Sequence, residues 1–97
     1  GPYIVTKDEI NDVQNLNLEL KINNITMQKG NTKRMIFGVN YIVSYLSNFM
    51  TLYPGDIITT GTPPGVGMAR KPQIFLKKGD FMELTIDQLG SQKQKVI

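Results

Sequence analysis

Few side chains in this sequence can do chemistry unaided, and the absent ones narrow the field first. Histidine and cysteine occur nowhere in the 97 residues. The chain cannot by itself assemble a Ser-His-Asp triad, a cysteine nucleophile, a zinc site of His ligands or a disulfide. One stretch has the makings of a binding wall: residues 54–67, PGDIITTGTPPGVG. A turn signal, Pro54-Gly55-Asp56, feeds a β-branched segment, Ile57-Ile58-Thr59-Thr60, expected as a short buried strand. That strand would deliver a hydroxyl residue into a loop of Gly61, Thr62, Pro63, Pro64, Gly65, Val66 and Gly67. Glycine lets a ligand approach the backbone closely, and proline removes loop freedom before anything binds. A loop that merely turns the chain is the alternative reading of the same residues.

The elements that must position this loop follow from hydrophobic periodicity. Residues 16–22, LNLELKI, alternate strictly, with Leu16, Leu18, Leu20 and Ile22 on one face, which is the pattern of a half-buried strand. Asn23-Asn24 has the residue types of a two-residue hairpin turn into a second strand, residues 25–28. Residues 29–32, KGNT, read as a further turn, and Gln28, Asn31 and Thr32 as either neighbours of the pocket or hairpin residues. From Gly38 to Met50 the period changes: Val39, Ile42, Val43, Leu46, Phe49 and Met50 form one helical stripe. Tyr41, Ser44, Tyr45, Ser47 and Asn48 are left for water or another subunit. Residues 81–87 alternate again, Gln88-Leu89-Gly90-Ser91 reads as a turn, and residues 92–97 as a last strand. Near the start, Thr6 and Glu9 have capping-box spacing around one helical turn. The expected fold class is mainly β, a β-rich α+β arrangement with one main helix.

Composition bounds the remaining options. The hydrophobic fraction of 40% and charged fraction of 20% are those of an ordinary globular chain. The formal charge is +3, but Lys33-Arg34, Arg70-Lys71 and Lys77-Lys78 are separated pairs without interleaved exposed aromatics. That pattern gives no nucleic-acid stripe, and no apolar run approaches the roughly 20 residues of a membrane span. The N-terminus carries no signal-peptide pattern.

The residues taken together resemble the C-terminal portion of the fumarylacetoacetate hydrolase family. The resemblance rests on GPYIVTKDEI, QKGNTKRMIF, the helix YIVSYLSNFMTL, the block PGDIITTGTPPGVG, and KKGDFMEL with QLGSQ, in the family's order and over almost the whole chain. It points to the branch of acylpyruvases, oxaloacetate decarboxylases and the isomerase/decarboxylases of homoprotocatechuate breakdown. The resemblance implies a distorted β-roll, usually dimeric, in an enzyme of aromatic-compound catabolism working in the cytoplasm. It implies a divalent metal, Mg2+ or Mn2+, clamping an enolisable 2-oxo acid and stabilising the enolate formed on C–C hydrolysis, decarboxylation or isomerisation.

The sequence departs from a complete family member. The family's Glu-x-Glu, later Asp and catalytic Lys all lie before the Gly-Pro at which this chain starts, as does the lid with its His–Glu pair. No Glu-x-Glu is present, and Asp8, Glu9, Asp12, Glu19, Asp56, Asp80, Glu83 and Asp87 suit turn, strand-face or surface roles. Residues 1–97 are therefore expected to be the C-terminal fragment of one catalytic domain. The expectation is that no catalytic residue or metal ligand lies within them and that the ligands lie upstream of Gly1. One position carries over as a site: Thr62, matching the family threonine beside the substrate's carboxylate, with Gly61 allowing close approach. A β-bulge or turn role is the alternative for Thr62.

Two function classes follow. In the first the chain is part of a metal-dependent enzyme of 2-oxo acids, inactive in isolation, and the lack of an initiator Met favours it. In the second it is a truncated, non-catalytic interaction or oligomerisation module. A basic nucleic-acid-binding domain, resting on net charge alone, trails both. A short chain without disulfide or metal is expected to lean on a dimer or larger assembly.

Overall fold

The computed structural model describes residues 3–97, leaving Gly1-Pro2, the start of the first matching motif, outside the described residues. Four strands form one sheet in the order β2-β1-β3-β4: β1 Asn17–Ile22, β2 Ile25–Asn31, β3 Phe81–Ile86 and β4 Gly90–Lys95. All neighbours run antiparallel. The alternation read from the sequence sets the register. Leu18 lies opposite Ile86, Leu20 opposite Leu84 and Ile22 opposite Met82, so the apolar residues of the two central strands share a face. The opposite face carries charge, including Glu19 with Lys21 at 3.6 Å and Glu83 with Lys93 at 3.2 Å.

Turn chemistry closes this sheet locally. Asn23 and Asn24 both have positive φ, 49° and 66°, as a two-residue hairpin matched to strand twist requires. Asn23 Nδ2 donates to Asp80 Oδ1 at 2.9 Å, and Asn23 Oδ1 accepts from the Phe81 amide at 2.9 Å. Asp80 also accepts from the Lys77 amide at 2.7 Å. Asp87 Oδ2 accepts from both the backbone and side-chain nitrogens of Asn17, at 2.9 and 2.7 Å. At 3% exposure Leu16 is the buried apolar residue of the described chain, with its amide on Thr32 Oγ1 at 2.9 Å.

Several sequence expectations are corrected. Residues 29–31 continue β2 rather than turning, and the turn falls one step later in a 3₁₀ helix, Thr32–Arg34, which Asn31 Oδ1 caps by accepting from the Lys33 amide at 2.9 Å. Gly90 and Ser91, read as part of a turn, already belong to β4. Lys7–Glu9 form the expected single turn, but the Thr6 hydroxyl meets the Glu9 carboxylate at 3.4 Å instead of capping a backbone amide.

The larger correction is at residues 57–60. No strand forms there, and Ile57 is 88% exposed; β-branched propensity without a paired ladder does not make a strand. The main helix, α1 Val39–Ser47, is shorter than its stripe. Val39, Ile42 and Leu46 are half-buried, whereas Phe49 and Met50 lie past its end and are exposed. Tyr41 and Tyr45 of the helix continue into Phe37 and Phe49 beyond its ends as an aromatic ladder, with successive centroids 5.0, 6.1 and 4.9 Å apart, the first two pairs stacked and the last tilted. No helix is long and apolar enough to cross a membrane among the described residues.

Candidate functional site

The loop of residues 61–67 is tied down from the sheet by a defect in the sheet. Between the pairs Leu20–Gln28 and Lys21–Thr26 the register slips, leaving Met27 as the extra residue of a bulge. Its carbonyl is taken by a side chain from beyond the loop: Arg70 Nη2 donates to Met27 O at 2.5 Å while Arg70 Nε donates to Gly65 O at 3.0 Å. One guanidinium thus pins the loop to β2. Gly65 makes the approach sterically feasible. Its φ is +113°, and a Cβ there would collide with the Met27 carbonyl. Gly30, inside β2, plays the matching part, since a Cβ would come within 2.9 Å of the Pro63 ring.

Gln28 makes the second tie. Its Nε2 lies 2.8 Å from Thr62 Oγ1 and 2.7 Å from Pro63 O. Thr62 and Gly61, both named from the sequence, face a cleft of about 500 Å³, a size typical of small-molecule sites. Its lining brings together Leu18 from β1, Gly30, Asn31 and Thr32 at the end of β2, Arg34, Ile42 of α1, and Pro63 and Pro64. Asn31, the last residue of β2 and the cap of the following turn, and Thr32, the first residue of that turn, both line the cleft. Gln28 stands behind the loop, on a smaller cavity of about 170 Å³ shared with Leu20, Met27, Gly65 and Val66.

The helix end is fixed to this cleft by Gln14. Its Oε1 accepts from the Val39 amide at 2.8 Å and its Nε2 donates to Thr32 O at 2.5 Å. One side chain therefore satisfies an otherwise orphaned N-terminal amide of α1 and anchors the cleft wall. Neither Gln14 nor Arg70 stands out in the sequence, because their partners are backbone atoms far along the chain. Glycine inside a strand pattern, at Gly30, is the one local signal that marks the close approach.

Charge in the cleft has one sign. Arg34 is a lining residue, and no Asp or Glu lines the cleft. The acids are used elsewhere. Hydrogen bonds from Asn23 and from the Lys77 amide hold the Asp80 carboxyl below the usual carboxylate range. The Thr26 hydroxyl, with Lys21 and Lys29 adding attraction, lowers the Glu19 carboxyl. Among the described residues no three His, Cys, Asp or Glu side chains converge as a metal site would need. The donor set of this loop thus suits an anion and does not suit a divalent cation.

Comparison with known proteins covers the same residues. The chain is 57% identical over 97 residues to 2,4-didehydro-3-deoxy-L-rhamnonate hydrolase of Sphingomonas sp. (strain SKA58), covering 99% of this chain and 34% of the relative. It is 50% identical to the mitochondrial oxaloacetate tautomerase Fahd2a of Rattus norvegicus, over 100% of this chain and 31% of that protein. The crystal structure of maleylpyruvate hydrolase from Sphingobium sp. SYK-6 in complex with manganese(II) ion and pyruvate superposes with a TM-score of 0.87 at 38% identity. That match covers 100% of this chain and 34% of the hydrolase. The chain thus spans about a third of the length of the curated relatives it matches. From residue 1 to residue 97 it fits the family description "Fumarylacetoacetate (FAA) hydrolase C-terminal", and it belongs to the fumarylacetoacetate hydrolase family.

Proposed function

We propose that residues 1–97 are the C-terminal part of the catalytic domain of a divalent-metal-dependent enzyme acting on 2-oxo acids, and that they supply its substrate-anchoring wall. The observation that carries the reading is the placement of Thr62 on a cleft lined by the cations Lys29 and Arg34 and by no carboxylate. Such a wall attracts an anion and gives it a directed hydrogen bond. The Mn(II)- and pyruvate-bound relative supports the substrate and cofactor class. The metal, Mg2+ or Mn2+, is held by residues outside this stretch on the present reading, because the acids here are spread over turns and strand faces.

The part played by this chain is binding and orientation. Thr62 donates to a carboxylate oxygen of the substrate, Gly61 leaves the backbone open to close approach, and the Gln28 and Arg70 ties remove loop entropy before binding. Proton transfer and bond cleavage fall to groups outside these residues. The reaction on the bound 2-oxo acid is hydrolysis, decarboxylation or isomerisation; the hydrolase and tautomerase relatives support the first and the last. A dimer or larger assembly is part of the proposal.

The test uses the protein expressed from its complete gene. Pyruvate should bind in the presence of Mn2+, measured by calorimetry, and Thr62→Val should weaken that binding about tenfold, the loss of one good hydrogen bond to a charged group. Unchanged affinity in Thr62→Val, with the fold intact by circular dichroism, removes Thr62 from the site and sinks the reading.

A further inference from the structure

The hydrogen bonds around Gln28 determine which way the Thr62 hydroxyl can point. Gln28 Nε2 lies 2.7 Å from the Pro63 carbonyl oxygen. A carbonyl only accepts, so the amide atom facing it is the nitrogen, which settles the orientation of this side chain on chemical grounds. The same nitrogen lies 2.8 Å from Thr62 Oγ1. With one N–H on Pro63 O, the second N–H reaches the hydroxyl oxygen, and Thr62 is there an acceptor. A hydroxyl has a single proton. The other acceptor near it is Pro63 O at 3.4 Å, which is long for an O–H···O bond. The proton is therefore not taken up within the loop, and Thr62 is a residue of the cleft wall.

We infer that Gln28 is a positioning residue that commits Thr62 to act as a hydrogen-bond donor toward the cleft, so that the site takes an acceptor-only group at this point. Gln28 touches no ligand itself, since it lines the cavity on the far side of the loop. It acts through Thr62 by occupying the lone pair that would otherwise compete for the hydroxyl's orientation. The inference deepens the proposed function and rests on it, and the experiment separates the two.

The experiment is a double-mutant cycle on the protein from its complete gene, with pyruvate as probe and Mn2+ present. Gln28→Met keeps the side-chain length and removes both N–H donors. It is expected to weaken pyruvate binding about fivefold to tenfold in the wild-type background. In the Thr62→Val background it should have no further effect, because the group it directs is gone. A residue that only holds the loop together would weaken binding by the same factor in both backgrounds, and additive losses overturn the inference. Gln28→Glu is the second variant, useful if Gln28→Met fails to fold. Its carboxylate accepts the Thr62 proton and should weaken pyruvate binding at least as much. Wild-type affinity in Gln28→Glu overturns the inference. Failure of the wild-type protein to bind pyruvate counts against the proposed function instead, and is read before any variant is made.

Discussion

The sheet and the segment between its halves are built on opposite terms. In the sheet, each turn finds its partner within the chain: Asn23 with Asp80 and Phe81, Asp87 with Asn17, Thr32 with Leu16. Residues 35–76 leave large apolar side chains in the open, from Ile36 at 92% exposure through the Phe37–Phe49 ladder to Phe75. The two regions differ in whether backbone and side-chain needs are met locally. The candidate site sits where they meet, with Thr62 on the open segment and its ties, Gln28 and the Met27 bulge, on the closed one.

The sharpest way to break this contrast is Leu16→Ala. Emptying the buried apolar position of the described chain should cost about 2–4 kcal/mol, read as a fall in the denaturant midpoint at constant slope. A loss under about 1 kcal/mol would mean that the packing of Leu16 just before β1 carries little of the stability. Next comes Gly65→Ala. The positive φ and the collision with the Met27 carbonyl together should cost about 2 kcal/mol, and displacement of the loop should reduce pyruvate affinity as well. Gly79→Ala is the control, with φ of +96° but open space around its Cβ. It should cost only the backbone term, about 1 kcal/mol, and leave binding unchanged. Equal effects at the two glycines would show that the loop is not clamped to β2.

The sheet was legible because its information is local. Alternation at residues 16–22 and 81–86, and the left-handed tolerance of Asn23 and Asn24, specify pairing without knowledge of anything distant. Residues 57–60 looked like a strand for equally sound local reasons, β-branched residues after a turn, yet a strand also needs an edge, and propensity does not supply one. The site was half legible. Thr62 and Gly61 stand out through the motif and do line the cleft. Gln14, Gln28 and Arg70 work through contacts 18 to 43 residues away, which no periodicity encodes. The Thr6–Glu9 spacing failed for the reverse reason, because its side chains found each other before the backbone.

Acid should act on the closed region through Asp80. The Asp80 carboxyl is held below its usual value by Asn23 and the Lys77 amide, so the folded state favours its ionised form. Its contribution is complete above the ordinary Asp pKa of about 4 and is lost as pH falls through the lowered native value. Stability should therefore decline on acidification below about pH 4, and Asp80→Asn should flatten part of that decline. An identical acid profile in Asp80→Asn would remove this lock from the account of the hairpin.

The smallest expected effect tests whether the sheet is finished on its polar side. Lys93 meets Glu83 at 3.2 Å with its own side chain 71% exposed, the setting in which an ion pair contributes about 0–0.5 kcal/mol. Lys93→Gln should shift the unfolding midpoint by no more than that, and added salt should abolish the difference. This holds only if water covers the charged face in the whole protein, as it does here. A cost above about 1 kcal/mol that persists at high salt would mean that the pair is desolvated by chain or subunit outside these residues. The charged face would then be as unfinished as the aromatic ladder, and the contrast between the two regions would shrink to a difference in polarity.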